Sequence, residues 1–209
     1  MKLTVVIPTK NRHDDLKVAI KSILNQTKLP DQIIIIDQSD TKESLNYFKK
    51  KIPKNIDLNY VYDNSITGLV EAKHHSLNYV NNEIVTFLED DIKLDINYIH
   101  EIHKVFQNNS SVIACSGVIT NATSSSLIYI LFHSLTHFGL FRDDRPSVYY
   151  NILNKKNKII PSNVISGGLS SWKFSIFKKI SFDIKNKFHM IEDFEFCYRF
   201  NKIYNKSLF

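Results

Sequence analysis

Four consecutive isoleucines, Ile33 to Ile36, constrain the fold more than any other stretch of this chain. A strand with one face in water alternates apolar and polar residues, whereas an unbroken β-branched run indicates that both faces are buried. Strands of that kind occur in parallel sheets, where helices cover the two sides. A chain with this segment therefore has to supply helices for both faces of a sheet.

Segments with strand and helix character alternate along the rest of the chain. Residues 3 to 7, LTVVI, form a short β-rich run, and apolar residues then recur at helical spacing from Leu16 to Leu24. The same patterns predict further strands at 58–62, 83–88 and 112–119 and helices at 41–52, 68–80, 97–108 and 191–204. This order predicts an α/β fold with a doubly wound, mainly parallel sheet and helices on both faces.

Composition and charge bear on domain number and on partners. The 209 residues include only 5 glycines and 5 prolines, and no low-complexity linker divides them, so we predict a single domain over residues 1–209. The formal charge of +6 comes from scattered basic residues that are not clustered with aromatic ones, which disfavours a nucleic-acid partner. A membrane with anionic headgroups or a phosphate-rich substrate would explain the same surplus.

Cysteines and apolar segments bear on the compartment. Cys115 and Cys197 match neither a disulfide framework nor a zinc site, so both are predicted to be reduced and buried. The N-terminal run MKLTVVIP is too short for a signal peptide, which predicts a cytoplasmic protein. The longest apolar segment, 126–141, is interrupted by His133 and His137 and is too short to span a bilayer. It is predicted to form a helix on the protein's own core, with a position in the membrane interface as the alternative.

Polar side chains follow three of the predicted strands. In a doubly wound sheet, ligands bind outside the carboxyl ends of the strands, so these side chains are expected to converge at one edge. They are Thr9, Asn11 and Arg12 after the first strand, Asp37 after the second, and Glu89, Asp90 and Asp91 after the fourth. Two unit charges about 6 Å apart repel by roughly 3 kcal/mol at an effective dielectric of about 20, so the acid cluster predicts a bound cation.

Five motifs occur in an order and approximate spacing that resembles glycosyltransferase family 2. They are TVVIPTKNR, IIIIDQSD, TGLVEAKH, FLEDD and MIEDFEFCYRF, and together they extend over about the whole chain. The resemblance implies the GT-A fold and an inverting transfer of a sugar from a nucleotide diphosphate. It also implies a nucleotide-binding half at about residues 1–92 and an acceptor and catalytic half at about residues 93–209.

By this resemblance, FLEDD is the acidic metal motif. Asp91 is implied as the direct ligand of Mn²⁺ or Mg²⁺, with Glu89 as a further metal residue and Asp90 near the ribose. Hard oxygen ligands favour these ions over zinc, and the ion would neutralise the charge that builds on the diphosphate leaving group. Alternation along an extended backbone is expected to place Glu89 and Asp91 on one side and Asp90 on the other.

The nucleotide contacts are implied by the first three motifs. Asp37 matches the carboxylate that reads the base, which favours uridine or thymidine diphosphates because their ring N–H can donate to a carboxylate. Thr9, Asn11 and Arg12 match further nucleotide-sugar contacts. Lys73 stands where many family members carry Arg, so it keeps the positive charge without the bidentate fork.

The last motif supplies the implied catalytic base. Asp193 would take the proton of the acceptor hydroxyl, and Glu192 would bind the acceptor. Periodicity alone favours an acidic first turn that complements the helix dipole. Gly168 and Trp172 in SGGLSSW match the floor beneath donor and acceptor, where Trp172 could stack on a sugar, although a lone Trp is more often core. The charged segment 141–146, FRDDRP, is predicted to be a lid or an exposed loop.

These implications combine into one functional prediction. The chain is predicted to be an inverting, metal-dependent glycosyltransferase of polysaccharide biosynthesis, with a UDP- or dTDP-sugar donor and a glycan or lipid-linked acceptor. It is expected in the cytoplasm, with peripheral association at the inner face of the plasma membrane. Because family members usually continue with another strand and often a metal-binding His, a minimal or C-terminally truncated version is expected. The alternative is a non-catalytic module of the same fold that binds a nucleotide-sugar or glycan.

Overall fold

The computed structural model describes residues 1–121, 126–138, 142–155, 159–185, 191–204 and 208–209. Its strands are β1 (Leu3–Thr9), β2 (Gln32–Asp37), β3 (Asp57–Tyr62), β4 (Ile84–Leu88), β5 (Ala114–Ser116) and β6 (Leu169–Lys173). Its α-helices are α1 (His13–Leu24), α2 (Glu43–Lys51), α3 (Leu69–Ser76), α4 (Tyr98–Asn108), α5 (Leu127–Thr136), α6 (Arg145–Lys155) and α7 (Glu192–Tyr204). Elements of both kinds alternate through the first half, as the sequence predicts.

The strands in the described ranges form a single sheet in the order β3-β2-β1-β4-β6-β5. The first four of these pair in parallel, while β6 runs antiparallel to both β4 and β5. The sheet is therefore mainly parallel, which confirms the predicted class. The carboxyl ends of β1, β2 and β4 meet at one edge, and the antiparallel strand β6 begins at that same edge.

Both faces of the sheet are covered by apolar layers. All four isoleucines of β2 have an exposure of 0%; Ile33 and Ile35 belong to one apolar cluster, and Ile34 and Ile36 to the other. Side chains of α1, α2 and α4 complete the first cluster, and side chains of α3 and α7 complete the second. Burial of each isoleucine stabilises the fold by about 1.5–3 kcal/mol. The double burial inferred from the isoleucine run is thus confirmed.

The second half of the chain differs from the expected strand pattern. β5 covers only three residues of the predicted strand 112–119, and SGGLSSW contributes β6, which periodicity does not reveal. Leu169 of β6 pairs with Leu88 of β4, and the backbone N–H of Glu89 donates to the Gly168 carbonyl at 2.9 Å. This antiparallel insertion brings the double glycine against the acidic motif after β4.

The predicted packing of the apolar segment 126–141 on the core is wrong for the described part of α5. Large apolar side chains of this helix are exposed, including Ile128 at 82% and Leu135 at 71%, while His133 is the buried one. Apolar residues occur all around the helix, so one packed side cannot cover them. None of the helices in the described ranges has the length and apolar character that a membrane crossing requires.

The two cysteines have the environment that the sequence predicts. Cys115 lies in β5 and Cys197 in α7, and both are free thiols with little solvent contact. Burial raises the pKa of each thiol to about 12, which keeps both protonated near neutral pH. They therefore serve as small core residues.

Candidate active site at the carboxyl edge of the sheet

One polar cluster joins the end of β1 to the turn after β4. The Thr9 hydroxyl donates to Asp90 Oδ2 at 2.6 Å, and the Arg12 guanidinium lies 2.9 Å from Asp90 Oδ1 and 3.0 Å from Asp91 Oδ2. Burial raises the pKa of Asp90, while the Thr9 hydrogen bond and the Arg12 charge act in the opposite direction. These contacts bring Thr9, Arg12, Asp90 and Asp91 together, as predicted from the polar strand ends.

The expected alternation of the three acids does not hold beyond Glu89. β4 ends at Leu88, and the chain turns at Asp90 and Asp91, with the Ile92 N–H donating to the Glu89 carbonyl at 3.3 Å. Because the backbone is no longer extended, both aspartates lie within reach of Arg12 instead of pointing to opposite sides. Glu89 is the acid that faces the other way, toward β6 and α3.

A second cluster is built around the buried Lys73 of α3. Its ammonium donates to the Gly167 carbonyl at 3.0 Å and to Glu192 Oε1 at 3.2 Å, and the residue is only 2% exposed. Glu89 lies close enough for the Lys73 charge to lower its pKa, although burial, as the largest cause, raises it overall. Lys73 thus joins the acidic motif to α7, and its described contacts are with the predicted acceptor side of the site.

The two glycines before β6 allow this close packing. A Cβ atom on Gly168 would stand 2.5 to 2.7 Å from the Glu89 carboxylate, and one on Gly167 would stand 2.6 Å from Glu192 Oε1. Both positions therefore exclude a side chain unless the carboxylates move. Gly168, which was predicted to bind the acceptor, therefore lies against Glu89, which was predicted to bind the metal.

The start of α7 carries the predicted catalytic acid. Asp193 lies in the first turn, and its Oδ2 is 2.7 Å from Arg145 Nη1. Arg145 is in turn held by Asp143 at 2.9 Å. Burial lowers the pKa of Arg145, but the hydrogen bonds and charges of the two aspartates outweigh it and raise the pKa above the ordinary value.

Arg145 is the site residue that sequence reasoning missed. It belongs to the segment FRDDRP, which was predicted only as a lid or an exposed loop. In the described part, from Arg142 onward, Asp143 and Arg145 are partly buried and tied to α7. The charged pattern was visible, but nothing local indicated a partner 48 residues away.

Asp37 lies at the end of β2, as predicted, and is fully buried. Its Oδ1 accepts a hydrogen bond from the Ser39 N–H at 3.0 Å, and its Oδ2 accepts one from the Tyr60 hydroxyl at 2.5 Å. Burial and the bond to Asp37 both raise the pKa of Tyr60. Asn11 joins the same end of the sheet, since its N–H donates to the Ser39 hydroxyl at 2.8 Å.

The predicted stacking of Trp172 on a sugar does not agree with its placement. Trp172 is 3% exposed, its ring packs against Phe196 and Phe200 of α7, and its indole N–H donates to Ser170 Oγ at 3.0 Å. The core reading of this residue is the correct one. The inward face of α7 is formed by these phenylalanines, whereas Ile203 is 59% exposed.

The donor set at this edge suits a metal that shares its coordination with a substrate. Among the residues that the structure describes, no group of three or more His, Cys, Asp or Glu side chains is arranged to hold a metal. Asp91 offers hard carboxylate oxygens beside Arg12, whereas the Glu89 carboxylate faces Gly168 and Lys73. Mg²⁺ is commonly held by one or two carboxylates together with substrate phosphates, so Asp91 fits such an ion, and Glu89 would join it only after its side chain turns.

Known glycosyltransferases resemble this chain in sequence. A family model described as Glycosyl transferase family 2 matches residues 4–181. The glycosyltransferase GlyA of Streptococcus pneumoniae is 24% identical over 185 residues, covering 88% of this chain and 26% of that protein. The GalNAc(5)-diNAcBac-PP-undecaprenol beta-1,3-glucosyltransferase of Campylobacter jejuni is 37% identical over 97 residues, covering 44% and 30%.

Solved structures show the same fold. The mannosyltransferase PcManGT from Pyrobaculum calidifontis, in complex with GDP-Man and Mn²⁺, has a TM-score of 0.62 and 17% sequence identity. The match covers 87% of this chain and 47% of that one. The predicted GT-A fold is therefore confirmed. Each of these proteins is longer, since the matched region spans less than half of its length.

Proposed function

Because the chain belongs to glycosyltransferase family 2, we propose that it transfers a sugar from a UDP- or dTDP-sugar to an acceptor hydroxyl with inversion at the anomeric carbon. Membership makes it an enzyme of the glycosyltransferase class. One observation carries the proposal: acids from β4 and α7 gather around the buried Lys73, which lies 3.2 Å from Glu192 and within electrostatic reach of Glu89. Such a concentration of ionisable groups is typical of active sites. The acids suit a divalent ion, which would in turn hold the diphosphate, and a proton acceptor.

The base of the donor is assigned to the end of β2. Asp37 would accept the ring N–H of uracil or thymine, and Thr9, Asn11 and Asp90 line the path toward the sheet edge. A carboxylate has about four acceptor positions, of which Ser39 and Tyr60 fill two. Since Asp37 is fully buried, the base reaches it when the Tyr60 side chain turns away.

A guanosine donor is the main competitor for this site. Guanine also presents N–H donors, so a carboxylate alone does not exclude it. The Pyrobaculum neighbour binds GDP-Man, which shows that the same fold accommodates a purine in that protein. A binding screen therefore has to include GDP beside UDP and dTDP.

Glu89 and Asp91 are assigned to a divalent ion, with Asp91 as the direct ligand. The Asp91 side chain is 45% exposed and is held by Arg12 at 3.0 Å, so a phosphate would compete with it for the same guanidinium. When bound, Mn²⁺ or Mg²⁺ would neutralise the charge on the leaving diphosphate. The Mn²⁺ of the Pyrobaculum complex supports this choice of ion.

Asp193 is assigned as the general base. Its carboxylate would accept the proton of the acceptor hydroxyl while the oxygen attacks the anomeric carbon opposite the diphosphate. Arg145 fixes the orientation of Asp193 through the 2.7 Å contact with Oδ2, while Oδ1 accepts the Phe194 N–H at 2.9 Å. The acceptor hydroxyl would use a remaining lone pair of the carboxylate. Glu192, held by Lys73, is assigned to an acceptor hydroxyl.

The acceptor is proposed to be a glycan or a lipid-linked glycan. The Campylobacter relative is named for an undecaprenol-linked substrate, which supports the lipid-linked form. The exposed apolar side chains of α5, such as Leu131 and Phe132, support peripheral contact with the membrane that would carry such an acceptor. Sedimentation with vesicles tests this point, and loss of binding in Leu131→Glu is the expected result.

Ligand binding is tested by thermal unfolding with UDP, dTDP and GDP, each with and without Mn²⁺. A ligand at about 100 times its Kd adds about 2.7 kcal/mol, which corresponds to roughly 5–10 °C for a domain of this size. The proposal expects the largest shift with UDP or dTDP and only in the presence of the metal. A larger shift with GDP would contradict the assignment of a uridine or thymidine donor.

Catalysis is tested with Asp193→Asn. The amide cannot act as a base, so transfer should fall by about 10²-fold or more while the nucleotide-dependent thermal shift stays. Glu195→Gln is the matched control, since Glu195 lies two residues further on but is paired with Arg199 of the same helix. If Asp193→Asn transfers as well as the control, the base is wrongly assigned. If the wild-type chain binds nucleotide-sugars and transfers nothing, the non-catalytic alternative is correct.

A further inference from the structure

An apolar cavity lies beside Arg145, enclosed by α4, α6 and the end of β5. Its volume is about 230 Å³. Cavities of roughly 150 Å³ already hold a benzene ring in another protein, so this one has room for a group of appreciable size. Its apolar wall consists largely of branched aliphatic side chains: Ile102, Val105, Val118, Val148, Ile152 and Ile165.

The cavity adjoins the candidate active site. Arg145 lines it and also contacts Asp193 at 2.7 Å. Ile165 and Ser166 line both the cavity and the small space next to Lys73, Glu192 and Asp193. A group held in the cavity is therefore close to the proposed base.

The position in the sheet separates this cavity from the nucleotide end. The order of strands places β2, with Asp37, near one side of the sheet and β5, with Cys115 and Ser116 in the cavity wall, at the other. Strands β1, β4 and β6 lie between them. The cavity is thus on the acceptor side of the site.

One polar group in the wall has no partner. The hydroxyl of Tyr98 is buried and makes no hydrogen bond within the described residues, although Ser171 and the Gly117 backbone lie near it. Gly117 leaves room for the ring, because a Cβ there would stand 2.7 Å from Tyr98 Cε2. Because that hydroxyl has essentially no accessible surface, it offers no donor to a group in the cavity, and Tyr98 adds only ring carbon atoms to the wall.

We propose that this cavity binds an apolar group of the acceptor, an alkyl chain attached close to the sugar that receives the transfer; the inference rests on the proposed function. Glu101, Arg145, Tyr149 and three serines also line the cavity, but most of its wall is apolar, which disfavours a second sugar there. The enzyme would accordingly use acceptors with an apolar aglycone in preference to free glycans.

The test uses methyl, butyl, hexyl and octyl β-D-glucopyranosides, measured by calorimetry with the wild-type chain in the absence of donor and metal. Each buried methylene is expected to tighten binding about fourfold until the cavity is filled. The methyl glycoside is expected to bind too weakly to measure. Affinity that does not depend on chain length would overturn the proposal.

Two variants of α6 locate the binding. Ile152→Phe fills the cavity and should weaken hexyl glycoside binding at least tenfold. Leu153→Phe is the matched control, since Leu153 is the next residue of the helix, is 40% exposed and lies outside the cavity wall. Equal binding in both variants would place the alkyl chain elsewhere. If Ile152→Phe does not fold, Ile152→Ala replaces it, and the enlarged cavity should shift the preference to a longer chain.

Transfer assays separate this inference from the proposed function. A lower KM for the hexyl than for the methyl glycoside supports the cavity as part of the acceptor site, and equal KM values refute it while leaving the transfer reaction intact. Chain-length-dependent binding without transfer to any acceptor refutes the proposed function and leaves the alkyl site in place.

Discussion

Lys73→Met removes a positive charge that lies between the acids of the two halves of the site. Lys73 is buried to 2% exposure, with its ammonium 3.2 Å from Glu192 Oε1 and 3.0 Å from the Gly167 carbonyl. Methionine has a similar length and fits an apolar environment, so the substitution isolates the effect of the charge. It leaves Glu192 and Glu89 facing each other without a counter-ion.

The expected loss of stability is large for a single substitution. At 3.2 Å and an effective dielectric of about 20, the attraction between Lys73 and Glu192 is about 5 kcal/mol. Removal of one partner from a buried pair costs about 3–5 kcal/mol, because the remaining charge is left uncompensated. That is a substantial share of the roughly 5–15 kcal/mol that stabilises a typical domain.

The loss should depend on pH in a defined direction. The pKa of Glu89 is raised by burial and lowered by Lys73, so removal of the lysine raises it further. An acid with a raised pKa holds its proton more tightly in the folded state, and its unfavourable effect grows as the pH rises above the ordinary pKa of about 4.3. The difference between variant and wild type should therefore be small near pH 4 and should grow between pH 4 and pH 7.

Urea unfolding at several pH values between these limits measures the free energy directly. Lys17→Met is the control, since Lys17 forms an exposed pair with Asp14 and its removal should leave the free energy of unfolding nearly unchanged. Lys73→Arg keeps the charge and should recover part of the stability. A loss below about 1 kcal/mol at neutral pH, the range of exposed pairs, or one that does not vary with pH, would refute the counter-ion role of Lys73.

Two further substitutions test the packing of the site. Gly168→Ala places a Cβ atom within 2.7 Å of the Glu89 carboxylate. It should reduce the thermal shift that UDP causes in the presence of Mn²⁺, with little change in the melting temperature without metal. An unchanged shift would show that Glu89 takes no part in metal binding. Trp172→Ala should cost about 3–5 kcal/mol in urea unfolding, because the ring is core. A stable Trp172→Ala variant with a raised acceptor KM would instead restore the sugar-stacking prediction.

Local patterns in the sequence were sufficient for the first half of the fold. The isoleucine run predicts a strand buried on both sides, and the burial of Ile33 to Ile36 confirms it. The polar residues after β1 and β4 predict a shared edge, and the contacts of Thr9 and Arg12 with Asp90 show that edge. These features follow from periodicity and from the parallel sheet itself, so they need no knowledge of distant partners.

The less regular second half was harder to predict. β6 is antiparallel and inserts between β4 and β5. Its segment, SGGLSSW, is rich in glycine and serine and has no alternation typical of a strand. α5 has the apolar composition of a core helix, yet Ile128 and Leu135 are exposed. In both cases the neighbours of a segment, and not its own residues, decide its role.

The sequence by itself determined the alternating fold, the acids at the strand ends and the motifs of the family, because each of these features depends on residues that are close along the chain. The tertiary structure decided which charges meet: Lys73 contacts Glu192 across 119 positions, and Arg145 contacts Asp193 across 48. Such pairs depend on the order of strands in the sheet and on where β6 enters it. A carboxylate acquires its environment from these distant neighbours, since electrostatic energy depends on distance in space and on burial, neither of which is local in sequence.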